Sequence, residues 1–289
     1  MRRRDYVVVT PVRDEEDHLE QTIHSVADQE VRPRRWVIVD DGSSDSTLRI
    51  AEAHAERLPW LEVVHRPDRG YRKAGGGVVE AFYEGYRRIE SLKWDYIVKL
   101  DGDVSFTPDY FRRLLEHFER DASLGIAGGE VYSPSPTGPR LEPQPAFHVR
   151  GATKVYSRAC WLAIGGLMPA PGWDTLDEVK ANMLGFRTRS LPDLQVYQHR
   201  ATGGADGAWR NYLKNGRANY ISGYHPLFIL AKCVRRFFAP PFAVASIALF
   251  TGYWGCHIRH ERRLADERLV RYLRRQQVNR LLLRPSIWY

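Results

Sequence analysis

Residues 96–111 read YIVKLDGDVSFTPDYF, an apolar run that stops abruptly at two aspartates, Asp101 and Asp103, with one glycine between them. Two chemistries fit such a turn. Carboxylates spaced this way can both reach one divalent cation, and Mg²⁺ or Mn²⁺ prefers such oxygen ligands, completed by waters and substrate phosphates. Alternatively they form an Asx turn ahead of the helix in TPDYFRRLLEHF. Thr107 followed by Pro108 already supplies an N-cap and a first helical residue there, so that helix does not need the aspartates.

Outward from this turn, YIVKL is the fourth of a series. YVVVT, WVIVD and LEVVH precede it, separated by the helical patterns EEDHLEQTIHSVADQ, STLRIAEAHAERL and VVEAFYEGYRRIESL. Such alternation predicts a parallel sheet covered by helices, and the unbroken apolar character of the strands is what burial on both faces requires. Right-handed crossovers then align the C-terminal ends of the strands along one edge, where open α/β sheets bind ligands. This chain places Thr10-Pro11, Asp40-Asp41-Gly42-Ser43, His65-Arg66 and Asp101-Gly102-Asp103 at that edge.

Each polar segment has a plain structural reading beside a chemical one. In VDDGSSDST the aspartates and serines can cap a helix, or a carboxylate can accept hydrogen bonds from a base or a ribose. In RGYRKAGGGVVEAF, Arg69, Arg72 and Lys73 precede three glycines that open a helix, so cations and backbone N–H groups can converge on a phosphate. The loop is not a Walker A motif, because its lysine precedes the glycines and no Ser or Thr follows. Its other reading is a solvated turn.

The order V-V-V-T-P, V-D-D-G-S-S-D, K-A-G and L-D-G-D at successive strand ends resembles the GT-A glycosyltransferases of family 2. Those enzymes move a sugar from a nucleotide diphosphate sugar to an acceptor with inversion. The resemblance spans about residues 5 to 200. It implies a Rossmann-like α/β fold with a mostly parallel sheet and helices on both faces. Residues 1–103 would form the nucleotide-sugar-binding half and 104–205 the acceptor-binding, catalytic half, with a helical region over 206–289. It further implies that Thr10, Pro11, Arg13 and Asp41 hold the nucleotide, and that Lys73, beside Arg72, approaches base and diphosphate. Asp103 would coordinate the metal, Asp101 would help hold ribose or metal, and His199 resembles a histidine that in some GT-A enzymes ligates the metal or meets the diphosphate.

Inversion needs a general base near the acceptor hydroxyl. Counted back from Leu184-Gly185-Phe186, which looks like the family's Ala-Gly-Tyr, Asp174 falls on the Asp of its Glu-Asp motif, with Trp173 in place of the Glu. Asp177 and Glu178, one turn further on, are the alternatives, and Asp174 can also cap its helix. Two departures stand out. Lys73-Ala74-Gly75-Gly76-Gly77-Val78 lacks the Asn of the family's Lys-Ala-Gly-Ala-Leu-Asn, and no Q-x-x-R-W, the mark of processive synthases, is present.

The net charge of +8 resides in the last third of the chain: from Arg200 onward there are 16 Lys/Arg against 4 Asp/Glu. There the cations interleave with apolar stretches, in HPLFILAKCVRRFFAPPFAVASIALFTGYWGCHIRHERR, which favours lipid over nucleic acid. Phe242 to Ile258 is uncharged for 17 residues but contains Gly252 and Gly255, at the lower limit for a spanning helix. A single span would also carry the basic end across the membrane, against the positive-inside tendency. Helices lying in the cytoplasmic interface, peripheral or monotopic at the inner face of the cell membrane, are therefore expected, with a buried helical pair as the alternative. Three scattered cysteines suggest neither a disulfide framework nor a zinc site, as expected of an intracellular protein.

The leading expectation is a metal-dependent inverting transferase, using Mg²⁺ or Mn²⁺, that adds one sugar to a membrane-anchored, polyprenyl-diphosphate-linked acceptor in cell-surface glycan synthesis. A nucleotidyltransferase shares the strand edge and paired carboxylates but usually places a Gly-rich loop after the first strand, and TPVRDEEDHL has no glycine. A non-catalytic nucleotide- or lipid-binding scaffold gives Asp174 no role.

Overall fold

The computed structural model describes residues 4–70, 76–200 and 207–288. Its first half is the expected alternation of β1 (Tyr6–Val12), α1 (Leu19–Ala27), β2 (Arg35–Asp40), α2 (Thr47–Ala55), β3 (Leu61–His65), α3 (Gly76–Tyr86) and β4 (Tyr96–Leu100). The four strands are parallel in the order β3-β2-β1-β4. Period-two alternation sends Val7, Val9, Val37 and Val39 to one face, under Val79 and Phe82 of α3. It sends Tyr6, Val8, Trp36 and Ile38 to the other, against Leu19 and Ile23 of α1. α3 lies so close that a Cβ on Gly85 would stand 2.7 Å from the Val9 side chain.

The second half adds β5 (Val104–Ser105), α4 (Tyr110–Arg120), β6 (Leu124–Ser133), β7 (Arg140–Leu141), β8 (Thr153–Ser157), α5 (Arg158–Ile164), α6 (Trp173–Met183) and β9 (Arg187–Gln198). The sheet continues past β4 as β8-β6-β9-β5, and here it is mixed. β8 runs antiparallel to both β4 and β6, and β5 antiparallel to β9, while β6 and β9 pair in parallel, so the second half combines both directions. The proline-rich stretch VYSPSPTGPRLEPQPAF, residues 131–147, leads the chain back to the C-terminal end of β4, where Leu100 pairs with Thr153. Residues 150–152 therefore arrive at the edge that carries the aspartate turn.

One helix start differs from expectation. α4 begins at Tyr110 with Asp109 at its N-cap, not at Thr107-Pro108. The buried amide of Gln29 explains the shift: it donates to the carbonyl of Thr107 at 2.8 Å and accepts the N–H of Phe111 at 3.0 Å. A long-range side chain thus satisfies the donor that local capping would have served.

The C-terminal region forms α7 (Gly207–Ile221), α8 (Pro226–Phe237), α9 (Val244–Ile258) and α10 (Glu267–Leu281). α7 and α9 cross backbone to backbone, because a Cβ on Gly252 would meet the Leu213 carbonyl oxygen at 2.2 Å. Tyr220, Ile229, Leu249, Tyr253, Leu269 and Leu273 form a core with Leu176 and Val179 of α6, so this bundle is seated on a helix of the sheet domain. α9 is divided between the two expectations for it: Ala245, Leu249 and Tyr253 are buried, whereas Val244, Ile247 and Phe250 are exposed. Among the described residues no helix is long and apolar enough to cross a membrane.

Candidate active site

The ends of β1 and β2 are knitted together by their own polar side chains. Asp14, at a positive φ of 54°, accepts the Ser44 N–H at 2.9 Å, while the Asp14 N–H donates to the Ser43 hydroxyl at 3.0 Å. The Glu15 N–H donates to the Thr47 hydroxyl at 2.7 Å, and the Ser46 N–H to the Glu16 carboxylate at 2.9 Å. Within VDDG the two aspartates separate. Asp40 is fully buried, 2.8 Å from Nδ1 of His65, whereas Asp41 faces the edge among cations. Arg66 reaches its carboxylate at 2.5 Å, Arg69 donates to its other oxygen, and Arg13 donates to its carbonyl at 3.1 Å and to Asp68 at 2.7 Å.

The structure brings Asp41, Arg13 and the half-buried Pro11 to this edge. Thr10 is different: its side chain is buried and its hydroxyl accepts the Trp36 indole N–H at 2.9 Å, so it is turned into the sheet. Arg72 and Lys73 lie outside the described residues.

At the aspartate turn the backbone N–H of Asp101 donates to the Ala152 carbonyl at 2.8 Å, and the Asp101 carboxylate pairs with Lys99. Asp103 is nearly buried, and its carboxylate accepts from Gln198 at 3.2 Å. Pairing of β5 with β9 carries His199 to the same place from the far side of the sequence, its N–H donating to the Asp103 carbonyl at 2.7 Å. Burial, and then the charge of Asp101, push the Asp103 carboxyl up. Burial, and then His18, with its ring 6.0 Å away, push the His199 imidazole down. His199 Nε2 lies 2.9 Å from the Ser105 hydroxyl.

These donors fit a hard divalent cation. Two neighbouring carboxylates, one of them buried and raised by desolvation, are an arrangement that a cation relieves, and an imidazole held neutral is competent to ligate. Asp103 and His199 are the residues that would hold it, with Asp101 beside them engaged by Lys99. Among the described residues, the one group of three acidic or histidine side chains already drawn within ligating range is Glu20, His24 and His54, on α1 and α2 rather than at the strand ends.

α6 carries the base candidates and separates them by burial. Its N-cap is Gly172, in the left-handed region at φ 82°, and Asp174 lies in the first turn, half-exposed. Asp177 and Glu178 are sealed inside. Asp177 receives Lys154 at 2.9 and 3.0 Å and the Tyr156 hydroxyl at 2.5 Å, and burial raises its carboxyl. Glu178 receives the Val149 N–H at 2.7 Å, lies 2.8 Å from His148 Nδ1 and pairs with Lys154 at 2.7 Å. With all these partners, neither runner-up has exposed surface, whereas Asp174 is partly exposed.

Asp174 adjoins the aspartate turn through one strip of chain. A Cβ on Gly151 would lie 3.8 Å from Cβ of Asp174, and the next residue, Ala152, binds the Asp101 N–H. Sequence reasoning passed over the cations beneath this strip. Lys99 and Lys154 are buried on β4 and β8, and each stands over the Trp173 ring, at 5.5 and 5.6 Å. The available signal was a lysine inside each of the apolar strands YIVKL and TKVYS.

A mixed α/β sheet whose edge gathers an aspartate pair, a histidine and a carboxylate on an adjacent helix defines a GT-A-type domain. The chain belongs to glycosyl transferase family 2, whose family model matches residues 7–167, more than half of its length. It is 30% identical over 128 residues to an uncharacterized glycosyltransferase, EpsJ, of Bacillus subtilis, covering 44% of this chain and 34% of that protein. It is 26% identical over 216 residues to a 4,4'-diaponeurosporenoate glycosyltransferase of Staphylococcus aureus, covering 73% of this chain and 49% of that one. The chain thus spans between a third and a half of the length of these curated relatives. Among solved structures, a mannosyltransferase from Pyrobaculum calidifontis in complex with GDP-Man and Mn²⁺ superposes with a TM-score of 0.55 at 16% identity, over 97% of this chain and 76% of that one. GalNAc-T7 with UDP, GalNAc and Mn²⁺ does so with a TM-score of 0.60 at 13% identity, over 86% and 53%. At these identities the likeness is one of fold.

Proposed function

We propose that this protein transfers a single sugar, with inversion, from a nucleotide diphosphate sugar to a lipid-linked acceptor at the cytoplasmic face of a membrane. The observation that carries the reading is the convergence at one strand edge of Asp101, Asp103 and His199 with Asp174, joined through Gly151 and Ala152. Asp41, steadied by Arg66 and Arg69, together with Arg13 and Pro11, lines the nucleotide side. Asp103 and His199 would hold Mg²⁺ or Mn²⁺, which when bound neutralises charge on the departing diphosphate. Arg72 and Lys73 are proposed to meet the same diphosphate from the basic loop. The Asp174 carboxylate takes the proton of the acceptor hydroxyl as its oxygen bonds to the anomeric carbon and the bond to the diphosphate breaks.

The α8–α9 hairpin supports the lipid side of the proposal. Leu227, Leu230, Val234 and Phe237 form an exposed apolar stripe on α8, continued by Phe238 and Phe242 at the joint and beside the exposed Arg235. An apolar face with cations at its border suits an anionic bilayer surface. The 4,4'-diaponeurosporenoate named for the Staphylococcus aureus relative is consistent with an apolar acceptor.

The deciding experiment is Asp174→Asn, assayed by nucleotide diphosphate release over a panel of nucleotide sugars. Turnover should fall about 10²- to 10⁴-fold while donor binding stays within about twofold, as removal of a general base requires. Undiminished turnover would remove Asp174 from the chemistry.

A further inference from the structure

Lys99 and Lys154 occupy directly opposed positions on β4 and β8. Like charges facing each other across a ladder are unfavourable, and burial makes them more so. A buried apolar pair would serve folding at least as well. The two ammonium groups instead share the ring of Trp173, and each directs its donors to a different part of the candidate site. Lys154 holds α6 through Asp177, Glu178 and the Asp174 carbonyl. Lys99 pairs with Asp101 and donates to the Gly151 carbonyl at 2.7 Å.

We propose that Lys99 is a positioning residue: it keeps the Asp101 carboxylate paired and off the cation held at Asp103, and it ties the aspartate turn to the helix that carries Asp174. This assignment rests on Asp103 and Asp174 having the roles given above. With Asp101 engaged by Lys99, one carboxylate and one imidazole remain for the cation, which leaves the nucleotide diphosphate to complete the coordination. Without the lysine, a second free carboxylate joins the ligand set while the turn loses its anchor to Gly151. Binding of the bare ion and turnover should therefore move in opposite directions, which a loosened site would not produce.

The test uses Lys99→Met, Lys99→Arg and Asp103→Asn in the full chain, with Mn²⁺ alone as the probe, followed by the paramagnetic resonance of free Mn²⁺, and with kcat and KM for sugar transfer. Lys99→Met should bind Mn²⁺ about tenfold more tightly, since a neighbouring cation has been removed, and lose about tenfold in kcat with little change in donor KM. Lys99→Arg should restore both. Mn²⁺ affinity unchanged or weakened in Lys99→Met, or turnover undiminished, overturns the proposal. Lys99→Gln carries the same test if the apolar variant does not fold. Asp103→Asn separates the two levels. Wild-type Mn²⁺ affinity in that variant overturns the metal reading and the lysine proposal with it, whereas loss of Mn²⁺ there with no gain in Lys99→Met overturns the lysine proposal alone.

Discussion

Lys154→Met tests whether α6 is held by the buried charges described above. The ammonium has no exposed surface, and it lies 2.9 and 3.0 Å from the oxygens of Asp177 and 2.7 Å from Glu178. Methionine keeps the volume and removes the charge, leaving two adjacent carboxylates buried without their shared cation. Breaking a buried pair from one side costs about 3–5 kcal/mol. Glu178 retains His148 and the Val149 N–H, and Asp177 retains the Tyr156 hydroxyl, so the lower end, about 3 kcal/mol, is expected. For a domain of this size that corresponds to a fall of about 6–12 °C in Tm, read by calorimetry or circular dichroism. Asp177→Asn on the Lys154→Met background removes one of the two stranded charges, so the double variant should melt above the single one. A Tm within about 2 °C of wild type for Lys154→Met, or strictly additive losses in the double variant, would refute the buried-triad reasoning.

Two further outcomes are expected. Burial lowers the pKa of His148, but the charge and hydrogen bond of Glu178 at 2.8 Å, together with the charge of Asp174, outweigh it, so the net shift is upward from 6.5. A histidine with a raised folded-state pKa contributes its full stability below the unfolded value and loses it as pH rises through the folded value; Tm should thus decline as pH rises above 6.5, and His148→Gln should flatten that slope. Val234→Asp with Phe237→Asp on the exposed stripe of α8 should abolish flotation with anionic vesicles while leaving Tm within about 3 °C, since both side chains face solvent. Wild-type protein that fails to float with such vesicles at low salt would remove the membrane from the proposal.

The first four strands were legible because their side chains need only be apolar on both faces, a property that survives in one dimension. α4 was misplaced by two residues because the amide that caps it, Gln29, lies two residues past the end of α1. The second half of the sheet was harder to read for a related reason. Direction depends on where a crossing re-enters, and prolines mark a crossing without marking its destination.

The site divides along the same line. Local motif order picked out Asp41, Asp101 and Asp103, because turns at strand ends must expose polar groups, and the family resemblance put Asp174 ahead of Asp177 and Glu178. The burial that separates these three was not legible. Spacing along a helix does not reveal which face an opposing strand covers, and Lys154 of β8 covers the face bearing the latter two. For the opening turn, the residues between Tyr96 and Phe111 determine a strand that ends in two carboxylates. Only the tertiary structure decides that they differ, because Asp101 meets a lysine from its own strand while Asp103 meets Gln198 and His199 from the far end of the sheet domain, and contact between residues nearly a hundred positions apart is a property of the packed sheet.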